Sequence, residues 1–329
     1  MSHTLRQLPG QNRLARWLSQ AFASDKRSHA YLLLGPEGSG RFRLAMAMAG
    51  AALCDEPVDG DACGACRSCR RVESGNHPDL HVYEPPPDKT QFTTEVIEQV
   101  NTDVFRRAYE GGAKVFVLKR IERMNTTTAN RFLKTLEEPP AGTLFCLLGT
   151  SANNLLPTIV SRCQTVRPLP MGLEEIRRIL VDEHGYKEDE AAMAASTSGG
   201  WLDVALTLDE GLMGEVRNFA RTQLAKTTPE QNLDLSDSLR QLCKDTASKG
   251  RARQNVIQAV ELIRVLWRDA LAYKLQGSES PIEAVPAIAG ARSEAKLVAD
   301  LRAFGEAVAA LRGNASIEPV LDDLLLRVG

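Results

Sequence analysis

The chain has 329 residues, of which 43% are hydrophobic, a size that allows two or three domains with real cores. Its 40 basic residues nearly balance its 42 acidic ones, and the net charge of −2 excludes a whole-molecule field that attracts nucleic acid. No apolar run approaches the roughly 20 residues that span a bilayer, and residues 1–13 lack the apolar core of a secretory signal. We therefore expect a cytoplasmic protein.

The stretch 31–42 predicts a strand, a glycine-rich loop and a helix, in the order of a nucleotide-binding P-loop. The glycines of this loop are Gly35, Gly38 and Gly40. A working loop continues with Lys and then Ser or Thr, because an ammonium must reach the phosphates and a hydroxyl must bind Mg²⁺. Here those positions hold Arg41 and Phe42. Arg41 could still offer charge to a phosphate, but Phe42 has no oxygen for a metal, so we predict a loop that keeps its shape without its chemistry.

Four of the seven cysteines lie in a polar insertion after this helix, at Cys54, Cys63, Cys66 and Cys69. Disulfides are rare in the cytoplasm, so the clustering indicates a metal site. The last three cysteines are spaced so that, on a helix, they would lie within an arc of about 120°. Cys54, at the end of the preceding helix, could then complete a structural Zn²⁺ site. The alternatives are buried or incidental thiols, a ligand role for His77 or His81, and a redox role for the CxxC pairs.

The rest of the first half alternates strands with helices. Strands are predicted at 80–83, 114–118, 144–148 and 163–167, and helices at 13–24, 94–107 and 125–138. This alternation predicts an α/β fold with a mostly parallel sheet covered on both faces. After Pro168 the strand signal ends, and 173–208 and 216–328 are predicted to be helical. We therefore expect an α/β domain over 1–168 with the cysteine module at 54–69, a small helical domain over 169–210 and a larger one over 211–329.

A second group of expected magnesium ligands is missing after the strand at 114–118. In P-loop ATPases this strand ends in acidic residues that hold Mg²⁺. Here it runs into Lys119-Arg120-Ile121-Glu122, so two bases stand where two acids are needed. A cationic pair would repel Mg²⁺, in agreement with Phe42. The alternative is that this strand has no relation to nucleotides.

Several short motifs indicate which protein family these features resemble. They are GQ at 10–11, HAYL at 29–32, NHPD at 76–79, EGGAKV at 110–115, NRFLKTLEEPP at 130–140 and SRC at 161–163. Together they resemble the clamp-loader subunits of bacterial DNA polymerase III, which are AAA+ relatives, over about residues 10–208. The ATP-hydrolysing gamma/tau subunits share the cysteines and the last two motifs. The degraded phosphate loop and acidic box make the chain similar to the delta-prime subunits instead.

The resemblance implies an AAA+-like α/β domain with a zinc module, a helical lid and a helical collar for oligomerisation. It also implies that Arg162, between Ser161 and Cys163, is an arginine finger for the ATP of an adjacent gamma/tau subunit. The implied partners are gamma/tau and delta subunits in a hetero-oligomeric ring, with the sliding clamp and primed DNA reached through the complex. No ATPase or polymerase activity of the chain itself is expected. From the residues alone, Arg162 could instead complement the end of the preceding helical turn.

Three other interpretations stay open at this point. The chain could be an ATPase in its own right, with Arg41 replacing the usual lysine. It could bind nucleotide without turnover, because the backbone amides of 35–40 could still meet a phosphate. The cysteine module could read nucleic acid by itself, although it carries few bases and no interleaved aromatic residues.

Overall fold

A computed structural model describes residues 4–24, 27–86, 89, 91–110, 112–208, 210–220, 237–239, 241, 252–277, 282, 284–313 and 315–328. The chain divides into two compact units, Met1–Met171 and Gly172–Gly329. None of the described helices is both long and apolar enough to cross a membrane.

The first unit is built on a five-stranded parallel sheet with the strand order β2-β3-β4-β1-β5. The strands are β1 (Ala30–Leu34), β2 (Leu80–Tyr83), β3 (Lys114–Leu118), β4 (Thr143–Gly149) and β5 (Gln164–Val166). Every strand predicted from the sequence is confirmed to within one residue at each end. Because β3, β4 and β1 are parallel neighbours, their carboxyl ends lie side by side at one edge of the sheet. Ligands of such folds bind at this edge.

The strands β1, β3 and β4 are buried along their whole length. Tyr31 and Leu33 belong to the apolar cluster on one face of the sheet, while Leu32 and Leu34 belong to the cluster on the other. Successive side chains of a strand point to opposite faces, so one continuous apolar run supplies both cores. This arrangement explains why the strands of this sheet could be found from runs of apolar residues.

Helices cover both faces of this sheet. They are α1 (Asn12–Phe22), α2 (Arg41–Leu53), α3 (Arg67–Glu73), α4 (Thr94–Phe105), α5 (Thr126–Glu137) and α6 (Pro157–Val160). Helix α5 begins where the side chain of Asn125 accepts a hydrogen bond of 2.9 Å from the backbone N–H of Thr128. It ends before Pro139-Pro140, as the sequence predicts. Phe132 of α5 packs edge-on against Phe145 of β4, with ring centroids 5.3 Å apart, which fixes α5 on the sheet.

Every described element of the second unit is helical. The longer ones are α7 (Leu173–His184), α8 (Glu188–Thr197), α9 (Leu202–Leu206), α10 (Glu210–Phe219), α11 (Ala252–Gln276), α12 (Ala284–Ala291), α13 (Glu294–Arg312) and α14 (Ile317–Val328). The helical prediction is thus confirmed for these residues, while 221–236, 240, 242–251, 278–281, 283 and 314 lie outside the described part of the chain. The separation of this unit into a lid and a collar stays a prediction.

A buried charge cluster joins the helices of the second unit. Asp300 on α13 is 1% exposed, and its carboxylate lies 3.2 Å from Arg292 Nε and 3.0 Å from Lys296 Nζ. It also accepts a hydrogen bond of 3.0 Å from Trp267 Nε1 on α11. Arg292 in turn donates to the carbonyl of Val328 at the end of α14. Burial lowers the pKa of Arg292, although the carboxylate of Asp300 opposes that shift.

Candidate functional site

The phosphate loop has the shape that the sequence predicts. It connects the carboxyl end of β1 to the first turn of α2. Gly38 and Gly40 have φ angles of 76° and 77°, in the left-handed region that glycine favours. A Cβ atom on Gly35 would lie 2.5 Å from Ser39 Oγ and 3.1 Å from Ser39 Cβ, so a larger residue there would have to displace the Ser39 side chain. The strand, loop and helix are therefore confirmed.

The two residues that replace magnesium ligands contact each other. Lys119 directly follows β3, and its Nζ lies 4.3 Å from the ring centroid of Phe42, in the first turn of α2. This is a cation–π contact, which stabilises a cation against an aromatic face. The same ammonium lies 3.7 Å from a carboxylate oxygen of Glu84. Magnesium needs oxygen ligands, and here an aromatic ring and a cation occupy both ligand positions, so these residues do not fit Mg-ATP.

Arg41 lies among other charged groups of the same chain. Burial lowers its pKa, and the carboxylates of Glu122 and Glu37 act in the opposite direction. Its charge is thus partly matched without a phosphate. Ser39 Oγ is buried and has no hydrogen-bond partner among the described residues. Binding of a nucleotide without turnover stays a prediction.

The cysteine module departs from the predicted geometry. We expected Cys63, Cys66 and Cys69 on one helix, and this is wrong because α3 begins only at Arg67. Gly64 has a φ angle of 77°, which breaks any helix between the first two of these cysteines. Cys66 is instead the N-cap of α3, and its sulfur accepts a hydrogen bond from the backbone N–H of Cys69. Cys54 follows the end of α2, as predicted.

The four sulfur atoms nevertheless converge. They all lie within 4.8 Å of one another. The Cys54–Cys66, Cys63–Cys69 and Cys54–Cys69 sulfur pairs are 3.8, 3.9 and 3.6 Å apart. A tetrahedral metal with sulfur ligands at about 2.3 Å would place them roughly 3.8 Å apart. The cluster could therefore hold a metal ion.

The backbone prepares one of these thiols for ionisation. The N–H groups of Ala65 and Cys66 point at Cys63 Sγ over 3.4 and 3.3 Å. These hydrogen bonds lower the pKa of Cys63 to about 7, because they stabilise the thiolate. Burial raises the pKa of Cys54 and of Cys69. A metal ion would offset that burial, since a coordinating thiol is deprotonated.

Neither histidine that we considered as a ligand belongs to this cluster. His77 Nδ1 accepts a hydrogen bond of 3.1 Å from the backbone N–H of Asp79, and its Nε2 lies 3.4 Å from Ser68 Oγ. His81 stacks on Phe116, with ring centroids 4.8 Å apart. Among the described residues, the group that could hold a metal ion here thus consists of the four cysteines alone.

Asp61 attaches the cysteine module to the start of the chain. Its carboxylate is 1% exposed and accepts hydrogen bonds from the backbone N–H groups of Leu5, at 2.8 Å, and Arg6, at 3.0 Å. Arg6 Nε donates a third, at 2.9 Å. Sequence reasoning missed this residue, because an aspartate in a polar loop carries no signal for a partner more than fifty residues away.

Arg162 lies at the surface, between α6 and β5. Its side chain is 36% exposed, and Nη1 donates to the carbonyl of Thr158 at 2.9 Å and lies 3.4 Å from Ser161 Oγ. Its Nη2 forms an ion pair with Glu137, the last residue of α5. Cys163 packs against the core, where burial raises its pKa to about 12. The sequence did not reveal the role of Glu137, although this residue lies in the 130–140 motif.

Comparison with known proteins adds the family. A model described as "DNA polymerase III, delta subunit" matches residues 10–171. The delta-prime subunit of Pseudomonas aeruginosa is 40% identical over 173 residues, covering 51% of this chain and 52% of that protein. That of Haemophilus influenzae is 31% identical over 264 residues, covering 79% of this chain and 75% of that protein. The tau subunit of Salmonella typhimurium is 27% identical over 287 residues, covering 82% and 44% respectively.

These matches differ in extent. The chain spans about half the length of the Pseudomonas relative and three quarters of the Haemophilus one. A gamma subunit-related protein of Thermotoga maritima, of known structure, is 18% identical with a TM-score of 0.43, covering 94% of this chain and 96% of that one. That structural similarity is too low to bear on function. On the strength of the Haemophilus match, the chain belongs to the family of DNA polymerase III delta-prime subunits.

Proposed function

We propose that the chain is a non-hydrolysing subunit of the DNA polymerase III clamp loader, acting in the cytoplasm. It assembles with gamma/tau and delta subunits into a hetero-oligomeric ring through its helical collar. There it supplies Arg162 in trans to the ATP of a neighbouring gamma/tau subunit. The sliding clamp and primed DNA are reached through that complex.

The contact between Lys119 and Phe42 supports this proposal most strongly. An active subunit needs a hydroxyl and a carboxylate at these two positions to bind Mg²⁺. The ammonium of Lys119 instead lies 4.3 Å from the ring centroid of Phe42. A divalent cation placed between them would meet the like charge of Lys119 and would receive no oxygen ligand from either residue. Hydrolysis at this loop is therefore not expected.

The exposure of Arg162 supports the second half of the proposal. A finger must be accessible to another subunit, and this side chain is 36% exposed at the end of a short helix. A guanidinium supplied to a transferring phosphoryl group neutralises developing charge, an effect of about 10³- to 10⁵-fold in related reactions.

The cysteine cluster has a structural role in this proposal, with Zn²⁺ as its metal. Four sulfur ligands leave no open position for water or substrate, so the site is closed to catalysis. Zinc would hold Cys54, after α2, against α3, and Asp61 would connect this module to the first residues of the chain.

The test uses purified chain alone and in mixtures. We expect no Mg²⁺-dependent ATP turnover by the isolated chain. Mixed with gamma/tau and delta subunits, it should enter a ring as one copy, measured by size-exclusion chromatography and native mass spectrometry. Turnover by the isolated chain would support the alternative of an ATPase that uses Arg41. Failure to enter any ring would contradict the proposal.

A further inference from the structure

We infer that Glu137 is a positioning residue for Arg162, one that holds its guanidinium in a fixed orientation before the neighbour's ATP is bound. This inference rests on the proposed function. Glu137 is the last residue of α5, and its carboxylate forms an ion pair with Arg162 Nη2. No role for this glutamate follows from its position in the sequence.

The guanidinium is held from two helices at once. Glu137 of α5 holds Nη2, while the carbonyl of Thr158 in α6 accepts from Nη1 at 2.9 Å. Because a guanidinium is planar, contacts to both of its terminal nitrogens fix the plane as well as the position. Helices α5 and α6 contact each other, so both acceptors belong to adjoining elements of the same unit.

These contacts leave donors for a ligand. A guanidinium has five N–H groups. In the described part of the chain, Thr158 and Ser161 accept the two N–H groups of Nη1, and Glu137 accepts one N–H group of Nη2. The Nε–H and the second Nη2 hydrogen stay available for phosphate oxygens.

Preorganisation gives this arrangement a consequence for rate. A free arginine side chain has many rotamers, and a group that must find its place during the reaction stabilises the transition state less. The ion pair with Glu137 keeps the side chain of Arg162 in one of these rotamers before the reaction begins. A purely stabilising ion pair is the competing explanation, but the side chains of Arg162 and Glu137 are 36% and 41% exposed, and pairs this exposed contribute little to folding.

A double-mutant cycle in the assembled loader tests the inference. Loaders are prepared with wild-type chain, Glu137→Ala, Glu137→Gln, Arg162→Ala and the Glu137→Ala, Arg162→Ala double variant. Glu138→Ala is the matched control, because it removes the adjacent exposed carboxylate. Initial rates of DNA-stimulated ATP hydrolysis are measured over a range of ATP concentrations, and the melting temperature of each free chain confirms folding.

We expect Glu137→Ala to lower kcat by about three- to fivefold while KM for ATP changes little, since an exposed ion pair holds the guanidinium only that strongly and its misplacement acts on the chemical step. Glu137→Gln keeps an oxygen acceptor and should recover part of the rate. Glu138→Ala should match the wild type. In the Arg162→Ala background, Glu137→Ala should have no further effect.

Three results would overturn the inference. An unchanged or increased kcat for Glu137→Ala, with Arg162→Ala slow, would refute the positioning role and leave the proposed function intact. An equal fall in kcat in both backgrounds would show that Glu137 acts through something other than Arg162. Full activity of Arg162→Ala would refute the finger and the positioning role together.

Discussion

Phe42 and Lys119 show how two substitutions far apart in the sequence act at one place. Each could be read from the sequence as the loss of a magnesium ligand. Their contact could not, because it depends on β1 and β3 ending at the same edge of the sheet. Since the ammonium of Lys119 lies on the ring of Phe42, replacing only one of them by a magnesium ligand would leave the other residue in the metal position.

This coupling predicts the behaviour of a repaired loop. The combined variant Phe42→Thr, Lys119→Asp should bind Mg-ATP on the order of tenfold more tightly than either single variant, because only the pair supplies two oxygen ligands and removes the cation. Isothermal titration calorimetry of the isolated chain, with and without Mg²⁺, measures this difference. Lys134→Asp makes the same charge change at an exposed position of α5 and is the control. Equal affinity of single and combined variants would contradict the coupling.

The convergence of the four cysteines predicts how single substitutions change the zinc content of the protein. Cys69→Ser should reduce bound zinc from about one ion per chain to well below that, because a structural site needs all four ligands. Metal content is measured by plasma mass spectrometry of the purified protein. Cys146→Ala removes a thiol buried in the sheet core and should keep its zinc. Zinc-free wild-type protein, or full zinc in Cys69→Ser, would contradict the assignment.

Among the elements, strands and long helices followed from sequence pattern. The apolar runs of β1, β3 and β4 are buried on both faces, so no polar alternation was needed to find them. The conformation of the cysteine module did not follow from the sequence in the same way. Cysteines three residues apart suit a helix or a turn, and Gly64 selects the turn. The four cysteines converge as their residue type suggested, so they could hold a metal ion, while the predicted helix was wrong because it depended on spacing alone.

One buried carboxylate, that of Asp300, contacts several elements of the second unit. Asp300→Asn should lower the free energy of unfolding of that unit by about 3–5 kcal/mol, since it leaves Arg292, whose side chain is 7% exposed, without its anion. Urea unfolding followed by tryptophan fluorescence, in a background where Trp17 and Trp201 are replaced by Phe so that Trp267 reports alone, measures the loss. Asp323→Asn removes a partner of the exposed Arg327 and should change the free energy of unfolding little. Equal stability of the two variants would contradict the role of the buried cluster.

For the whole molecule, the sequence predicted an α/β part followed by a helical part, and the structure has both. The predicted boundary near Pro168 lies close to Met171, where the first compact unit ends. The assembly surfaces were not predictable, because helices that pack within a unit and helices that pack between subunits show the same apolar periodicity. The proposed partner of Arg162 follows only from the resemblance to a family, since an exposed arginine after a short helix has no distinctive pattern of its own.

In the proposed function, this chain contributes to ATP hydrolysis through Arg162 and not through its own phosphate loop. The most direct test compares Arg162→Ala with Arg41→Ala in loaders assembled with gamma/tau and delta subunits. Arg162→Ala should slow DNA-stimulated hydrolysis at the adjacent site by about 10³-fold or more without preventing assembly, whereas Arg41→Ala should leave the rate unchanged. Full activity with Arg162→Ala, together with loss of activity in Arg41→Ala, would contradict the account.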